Sequence, residues 1–463
     1  MSENPVAAVM SAKRLILPLA LAQFICSFAG SNMNVMITDI SHDLDTTVEG
    51  VQTTITLFLL IMAILMIPCS KLTDRWGRKR CFIAGLTLYG IGALLSALSP
   101  GLSVLILGNS VLEGVGTALL IPPVYILATL WFSELSSRAW AFGVISGLGG
   151  IGAAAGPLIG GLITTAISWR AAFIFQALVV ATIVLLSRRL VDPLPPDPTR
   201  PFDAVGAILS AVGMFFVVFG ILQAGSNNTL FVVFFVLGAM FLIGFFFYIR
   251  ARERAGKEPL LSTGLFKKRT CNLALVTQNM QWLLLMGVSF VVSVFLQTVR
   301  GYSAVGTGVV FTAATVGILV SSLLAARLAK KYSQRTLIVA GFVITLAGIG
   351  LLLGFVHASS RVVAFVPGLL LIGLGLGAML TPSVNVVQSS FPEELQGEIS
   401  GLSRSVSNLG STFGTAIAGT ILVSVVALGT RSYAVAMIVL AAFGLIGLGA
   451  AWLLPAKLEQ QES

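Results

Sequence analysis

Fourteen apolar runs dominate this chain of 463 residues: 14–39, 51–70, 81–99, 102–130, 138–166, 169–187, 203–224, 229–249, 271–297, 304–326, 336–356, 362–388, 400–427 and 432–454. Each is near the length of about 20 residues that a helix needs to cross a bilayer. Only 10% of the residues are charged, against about 25% in an ordinary soluble domain. So few charges cannot cover a water-facing surface, and lipid must be part of the solvent. The expected fold is an all-α membrane protein. Lys13 and Arg14 precede a first run with no small-residue cleavage site, so that run is expected to stay as a helix.

Charge placement tests the count. With a cytoplasmic N-terminus and alternating spans, 23 of the 28 Lys and Arg fall on the cytoplasmic side. Arg170, Arg300, Arg361 and Arg431 fall outside, and Arg404 lies inside the thirteenth run. This bias predicts a multi-pass inner-membrane protein with both termini cytoplasmic. The net charge of +10 follows from the same clusters and forms no stripe with interleaved aromatics. It suits an anionic leaflet, not nucleic acid. Cys26, Cys69, Cys81 and Cys271 have no metal-ligand spacing, so no metal, cofactor or disulfide framework is expected.

The chain also repeats itself. SKLTDRWGRKRCFIAGL at Ser70–Leu86 is echoed by ARLAKKYSQRTLIVAGF at Ala326–Phe342, and GVGTALLIPP by GLGAMLTPS, at an offset of about 256–260 residues. Two six-helix bundles, 1–190 and 270–463, with two extra helices between them in 191–269, would produce this pattern. Repeated halves with a site at their interface are the architecture of secondary transporters.

The loop after the second run carries Asp74, Arg75, Gly77, Arg78 and Lys79. It resembles the cytoplasmic loop signature of the major facilitator superfamily, with Ser70 where the first Gly usually stands. A gate is the expected role. Gly77 permits a tight turn. Asp74 is placed to cap the next helix and to pair with an Arg such as Arg138. The fifth run carries Gly143, Gly152, Gly156, Pro157, Gly160 and Gly161, which resembles the antiporter motif of exporters. Gly at this spacing admits a second helix closely, and Pro157 bends its own. FDAVGAILSAVGMFFVVFGILQAGS, EPLLSTGLFKKRT and FLQTVRGYSAVGTG look like the fourteen-helix drug:proton antiporters. That resemblance spans essentially the whole chain. It implies export of hydrophobic, often cationic, compounds driven by inward proton flow.

Two stretches, in the first and fourth runs, depart from that family. Ala29 stands where it usually has an Asp, and Ser110 where it has an Arg; Glu113 replaces a Gln. Eleven residues at about 1.5 Å each place Glu113 about 16 Å into the fourth run, near the midplane. A charge at that depth costs about 3 kcal/mol or more, so Glu113 is the expected proton carrier, facing a cavity. Arg404 is expected to snorkel to the cytoplasmic surface or to pair with Glu398. The family fold implies a cavity lined by the first, fourth, ninth and twelfth runs. Phe28, Asn32, Asn34, Glu113, Tyr125, Gln278, Gln281, Trp282, Asn385 and Gln388 are its candidate contacts. Amides, aromatics and one carboxyl suit an amphipathic organic molecule better than a phosphate. The expected partners are that molecule, protons and the bilayer, and the protein is expected to act as a monomer. The alternative in the same fold is a lipid or metabolite transporter with altered or absent coupling. A membrane enzyme or sensor is disfavoured: His42 and His357 are isolated, and no catalytic triad, zinc motif or nucleotide loop is present.

Overall fold

Hydrocarbon offers the backbone no hydrogen-bond partner, so a spanning segment must satisfy its own N–H and C=O groups as a helix. The computed structural model describes residues 12–132, 135–199, 201–223, 227–328, 331–358, 362–391, 395–424 and 431–455. Among them each of the fourteen runs forms a long helix. The first six are α1 (Ala12–Asn32), α2 (Val48–Trp76), α3 (Arg78–Ala97), α4 (Leu102–Trp131), α5 (Leu135–Ala166) and α6 (Trp169–Ser187). Then come α7 (Ala204–Gln223) and α8 (Asn228–Arg254). The last six are α9 (Arg269–Val299), α10 (Ala304–Leu328), α11 (Gln334–Ala358), α12 (Val366–Gln388), α13 (Gln396–Ser424) and α14 (Arg431–Trp452). Twelve are long and apolar enough to cross a membrane, and α5 makes thirteen if its bent halves form one span. α13 is as long as α2 but is interrupted by Ser, Asn and Arg404.

Packing repeats at the offset seen in the sequence. Among the first six helices, α1 lies on α5, α3 on α4 and α6, and α2 on α4. Among the last six, α9 lies on α13, α11 on α12 and α14, and α10 on α12. Small residues at equivalent positions set these approaches. A Cβ on Gly92 would come within 2.7 Å of the Gly108 carbonyl oxygen, and one on Gly348 within 2.8 Å of that of Gly368. Any side chain at either place would push α3 from α4, or α11 from α12. Between the two sets the pairing is again twofold: α2 crosses α13, and α5 crosses α10. α7 lies against α2 and α13, with Thr420 Oγ1 donating to the Ile221 carbonyl at 3.0 Å. α8 packs chiefly on α7 and leaves most of its apolar surface exposed, as a lipid-facing helix does.

Candidate functional site

The two sets of six are joined at both ends. At the end carrying the Asp74 loop, here the basic end, Lys71 and Glu398 form an ion pair at 2.7 Å; midway along α2, Ser405 Oγ donates to the Ala63 carbonyl at 2.6 Å. At the opposite end Ser293 Oγ donates to the Asn34 carbonyl at 2.6 Å, and Thr38 Oγ1 to Gln297 Oε1 at 3.1 Å. Between these closures lies a cavity of about 40 Å³. Ligand pockets occupy about 300–1,000 Å³, so room for an organic molecule must come from helix movement. A larger crevice of about 360 Å³, lined by Phe295, Arg300, Leu352, Phe365, Arg431 and Tyr433, sits at the opposite end of α9, α11 and α14. None of its lining comes from the first six helices, so rocking of one set against the other does not switch its exposure.

The central cavity is walled by Leu59, Met62, Met66, Ile121, Trp282 and Met286, with Gln23, Cys26 and Ser27 on α1. Its remaining polar wall is α13, through Arg404, Ser407, Asn408 and Ser411. Arg404 does not snorkel. Its guanidinium lies 4.2 Å over the Tyr125 ring and donates to the Tyr125 hydroxyl, which donates in turn to Gln23 Oε1 at 3.2 Å. A cation on α13 is thereby tied to α4 and α1. The alternative partner, Glu398, is taken by Lys71 and by the Ser262 backbone N–H.

Three of the six candidate amides join helices through their side chains. Gln281 accepts from Ser383 Oγ at 3.0 Å, Gln278 from Ser403 Oγ at 2.8 Å and Gln388 from Ser400 Oγ at 3.2 Å. Asn34 is held at the opposite end through its carbonyl, and Asn32 is buried against Gly160. Asn385 is half-buried, and its carbonyl takes Ser389 Oγ. Phe28 packs on Phe24 and Phe175, inside the first six helices. Of the sequence candidates, Trp282 lines the cavity, and Tyr125 reaches it through Gln23 and Arg404.

Glu113 is fully buried but lies outside the cavity lining. Residues Ile106–Glu113 form a π-helical stretch of α4. That wider turn directs Glu113 at α3, where Oε1 accepts from Ser96 Oγ at 3.3 Å and the side chain lies against Gly92. Oε2 has no hydrogen-bond partner among the described residues, and further along α3 Tyr89 donates to Gln176 on α6. Two buried polar pairs therefore tie α3 to its neighbours, Ser96–Glu113 to α4 and Tyr89–Gln176 to α6.

At the basic end Asp74 pairs with Arg78 at 2.5 Å. The cap expected from Asp74 comes instead from Asp192, after α6, whose carboxylate accepts from the Arg78 and Lys79 backbone N–H groups at 2.7 and 3.3 Å. Lys79 Nζ reaches the Arg188 carbonyl, Arg75 is exposed, and the side chain of Arg138 lies outside the described residues. Gly77 turns the chain between α2 and α3 at φ 96°, ψ 138°, a conformation open to Gly alone. Gly77→Ala is therefore expected to cost about 1–3 kcal/mol, read as a lowered thermal unfolding midpoint of the purified protein. An unchanged midpoint would mean that the turn relaxes freely.

α5 bends by 43° between Trp140–Ala153 and Ala155–Ala166, where the carbonyl four residues before Pro157 meets the proline ring. Gly152, Gly156 and Gly160 seat α1, and Gly161 seats Ala304 of α10. Gly143 faces open space.

The family model described as Major Facilitator Superfamily matches residues 19–415 and 274–462. The puromycin resistance protein pur8 of Streptomyces alboniger is 31% identical over 409 residues, covering 86% of this chain and 80% of that one. The multidrug resistance protein Stp of Mycobacterium tuberculosis (strain CDC 1551 / Oshkosh) is 27% identical over 390 residues, covering 84% and 72%. A crystal structure of a peptide transporter, POT, in complex with sulfate aligns with TM-score 0.70 over 98% of this chain and 99% of that one, at 16% identity. That likeness is one of fold.

Proposed function

The chain belongs to the major facilitator superfamily, and on that premise we propose that it exports amphipathic organic compounds, drugs or metabolites, by proton-coupled alternating access. The carrying observation is a largely apolar cavity between two sets of six helices, closed by polar contacts at both ends. Residues 1–190 and 270–463 act as the rocking halves, with 191–269 supplying α7 and α8 beside their interface. The basic end faces the cytoplasm of the inner membrane, with both termini, and the protein works as a monomer. Lys71–Glu398 and the Asp74–Arg78 loop form the gate on that side, and α5 bends at the pivot. The relatives' names, puromycin resistance and multidrug resistance, support export of toxic organic cargo.

The coupling proton rides on Glu113. It is the one carboxyl among the chain's 18 Asp and Glu that lies near the middle of a run. Asp43, at the opposite end, is unsuited: the hydrogen bond from Arg170, with a second from Trp169, holds its carboxyl below the usual range. A lowered carboxyl stays ionised near neutrality, and what the pair adds to stability is lost only as pH falls through that lowered value. In cells lacking their own exporters, the protein should lower accumulation of a fluorescent amphipathic dye, and a protonophore should restore it. Dye retention equal to that of empty-vector cells would overturn the reading.

A further inference from the structure

Arg404 is an uncommon group to find in this cavity. It sits on α13, a helix otherwise deep in the bundle, and is 8% exposed. Among the described residues no carboxylate forms an ion pair with it, and no Asp or Glu lines the cavity. A guanidinium carries five N–H donors in a planar fork, and the Tyr125 hydroxyl takes only part of that capacity. One turn further along α13 is Asn408, also in the lining, whose buried Nδ2 has no hydrogen-bond partner among the described residues. The wall therefore presents a cation and an amide donor side by side, opposite apolar Leu59, Met62 and Met286. A buried charge is expensive unless something pairs with it.

We propose that Arg404 is the charge-selecting residue of the central cavity, taking amphipathic organic anions through a carboxylate or similar anionic oxygen, with Asn408 as a second donor. The proposal rests on the reading of this cavity as the cargo site. The Tyr125 ring, 4.2 Å from the guanidinium carbon, and its hydroxyl hold the guanidinium in place. The apolar wall takes the cargo's body. A cationic cargo would meet Arg404 as a like charge in a low-dielectric site, where repulsion is least screened. The selection this predicts is opposite to the preference for cations implied by the family resemblance.

The test uses one xanthene dye in two forms, the free carboxylate and its methyl ester, which share a body and differ in charge. Binding to the protein in nanodiscs is measured beside transport in proteoliposomes. The native protein should bind the carboxylate at least tenfold more tightly than the ester. Arg404→Gln should reduce that ratio at least tenfold, and Arg404→Lys, which keeps the charge but loses the fork, should retain part of it. Equal binding of the two forms by the native protein would overturn the proposal. So would an Arg404→Gln protein that loses both forms alike, the mark of a clamp between α13 and α4. The native comparison needs no variant to fold. Charge-selective binding with no transport of either form would sustain Arg404 and sink the export reading instead.

Discussion

Replacing Gly152 with valine is expected to abolish transport and lower the yield of folded protein, and replacing Gly410 is expected to do the same. A Cβ at Gly152 would meet the Phe24 carbonyl of α1, and one at Gly410 the Asn279 carbonyl of α9. The obstacle in both places is backbone, which moves only if a whole helix moves. Overpacking a tight core costs about 1–3 kcal/mol and occasionally more, and a displaced α1 or α9 carries its share of the interface with it. Size-exclusion profiles and thermal midpoints read the folding effect, and dye transport reads the rest. The pairing is the sharper part. Gly152 belongs to a motif recognisable in the sequence, whereas Gly410 is singled out only by the equivalent packing of α9 on α13. A Gly410→Val protein with full yield and transport would show that the repeated seat has no repeated role.

Glu113→Gln is expected to separate transport from its driving force. With one proton exchanged per neutral molecule, one pH unit supports about tenfold accumulation. The variant should bring that ratio close to one while still equilibrating cargo downhill. Because Glu113 faces α3 and not the cavity, coupling would run through α4 itself. That helix carries Ile121 and Tyr125 at the cavity, two to three turns beyond Glu113. Proton uptake at the Ser96–Glu113 pair would bias the position of α4, and cargo would bias the same helix from the other face. Uphill accumulation by Glu113→Gln equal to that of the native protein would leave the carboxyl as a structural tie between α3 and α4.

Much of the fold was legible because hydrocarbon permits so few solutions. A spanning helix must be an apolar run of fixed length, and the runs are visible from composition alone. The repeat was legible for a similar reason: Gly85 and Gly341, in the two matching stretches, stand where two backbones approach, so their spacing survives in both halves. The site was less so. Rise per residue places Glu113 in depth but not in azimuth, and the π-helical turn at Ile106–Glu113 decides which neighbour it meets. The amides Gln278, Gln281 and Gln388 each found a serine on a neighbouring helix, pairings with no local trace in the chain. The helix-3 cap is of the same kind, since Asp192 reaches Arg78 across four helices of intervening sequence. α13 did leave a signal. Ser400, Ser403, Arg404, Ser407, Asn408 and Ser411 recur every three to four residues, a polar stripe on a buried helix. That stripe identifies a cavity wall more directly than the scattered amides on α9 and α12.

The most direct test of proton-coupled export is transport by the purified protein in liposomes. With a fluorescent amphipathic dye initially equal on both sides and a pH gradient imposed, dye should accumulate against its own gradient on the acidic side. Collapsing the pH gradient with an ionophore should release it. Dye that merely equilibrates at the same rate with and without the pH gradient would contradict the account.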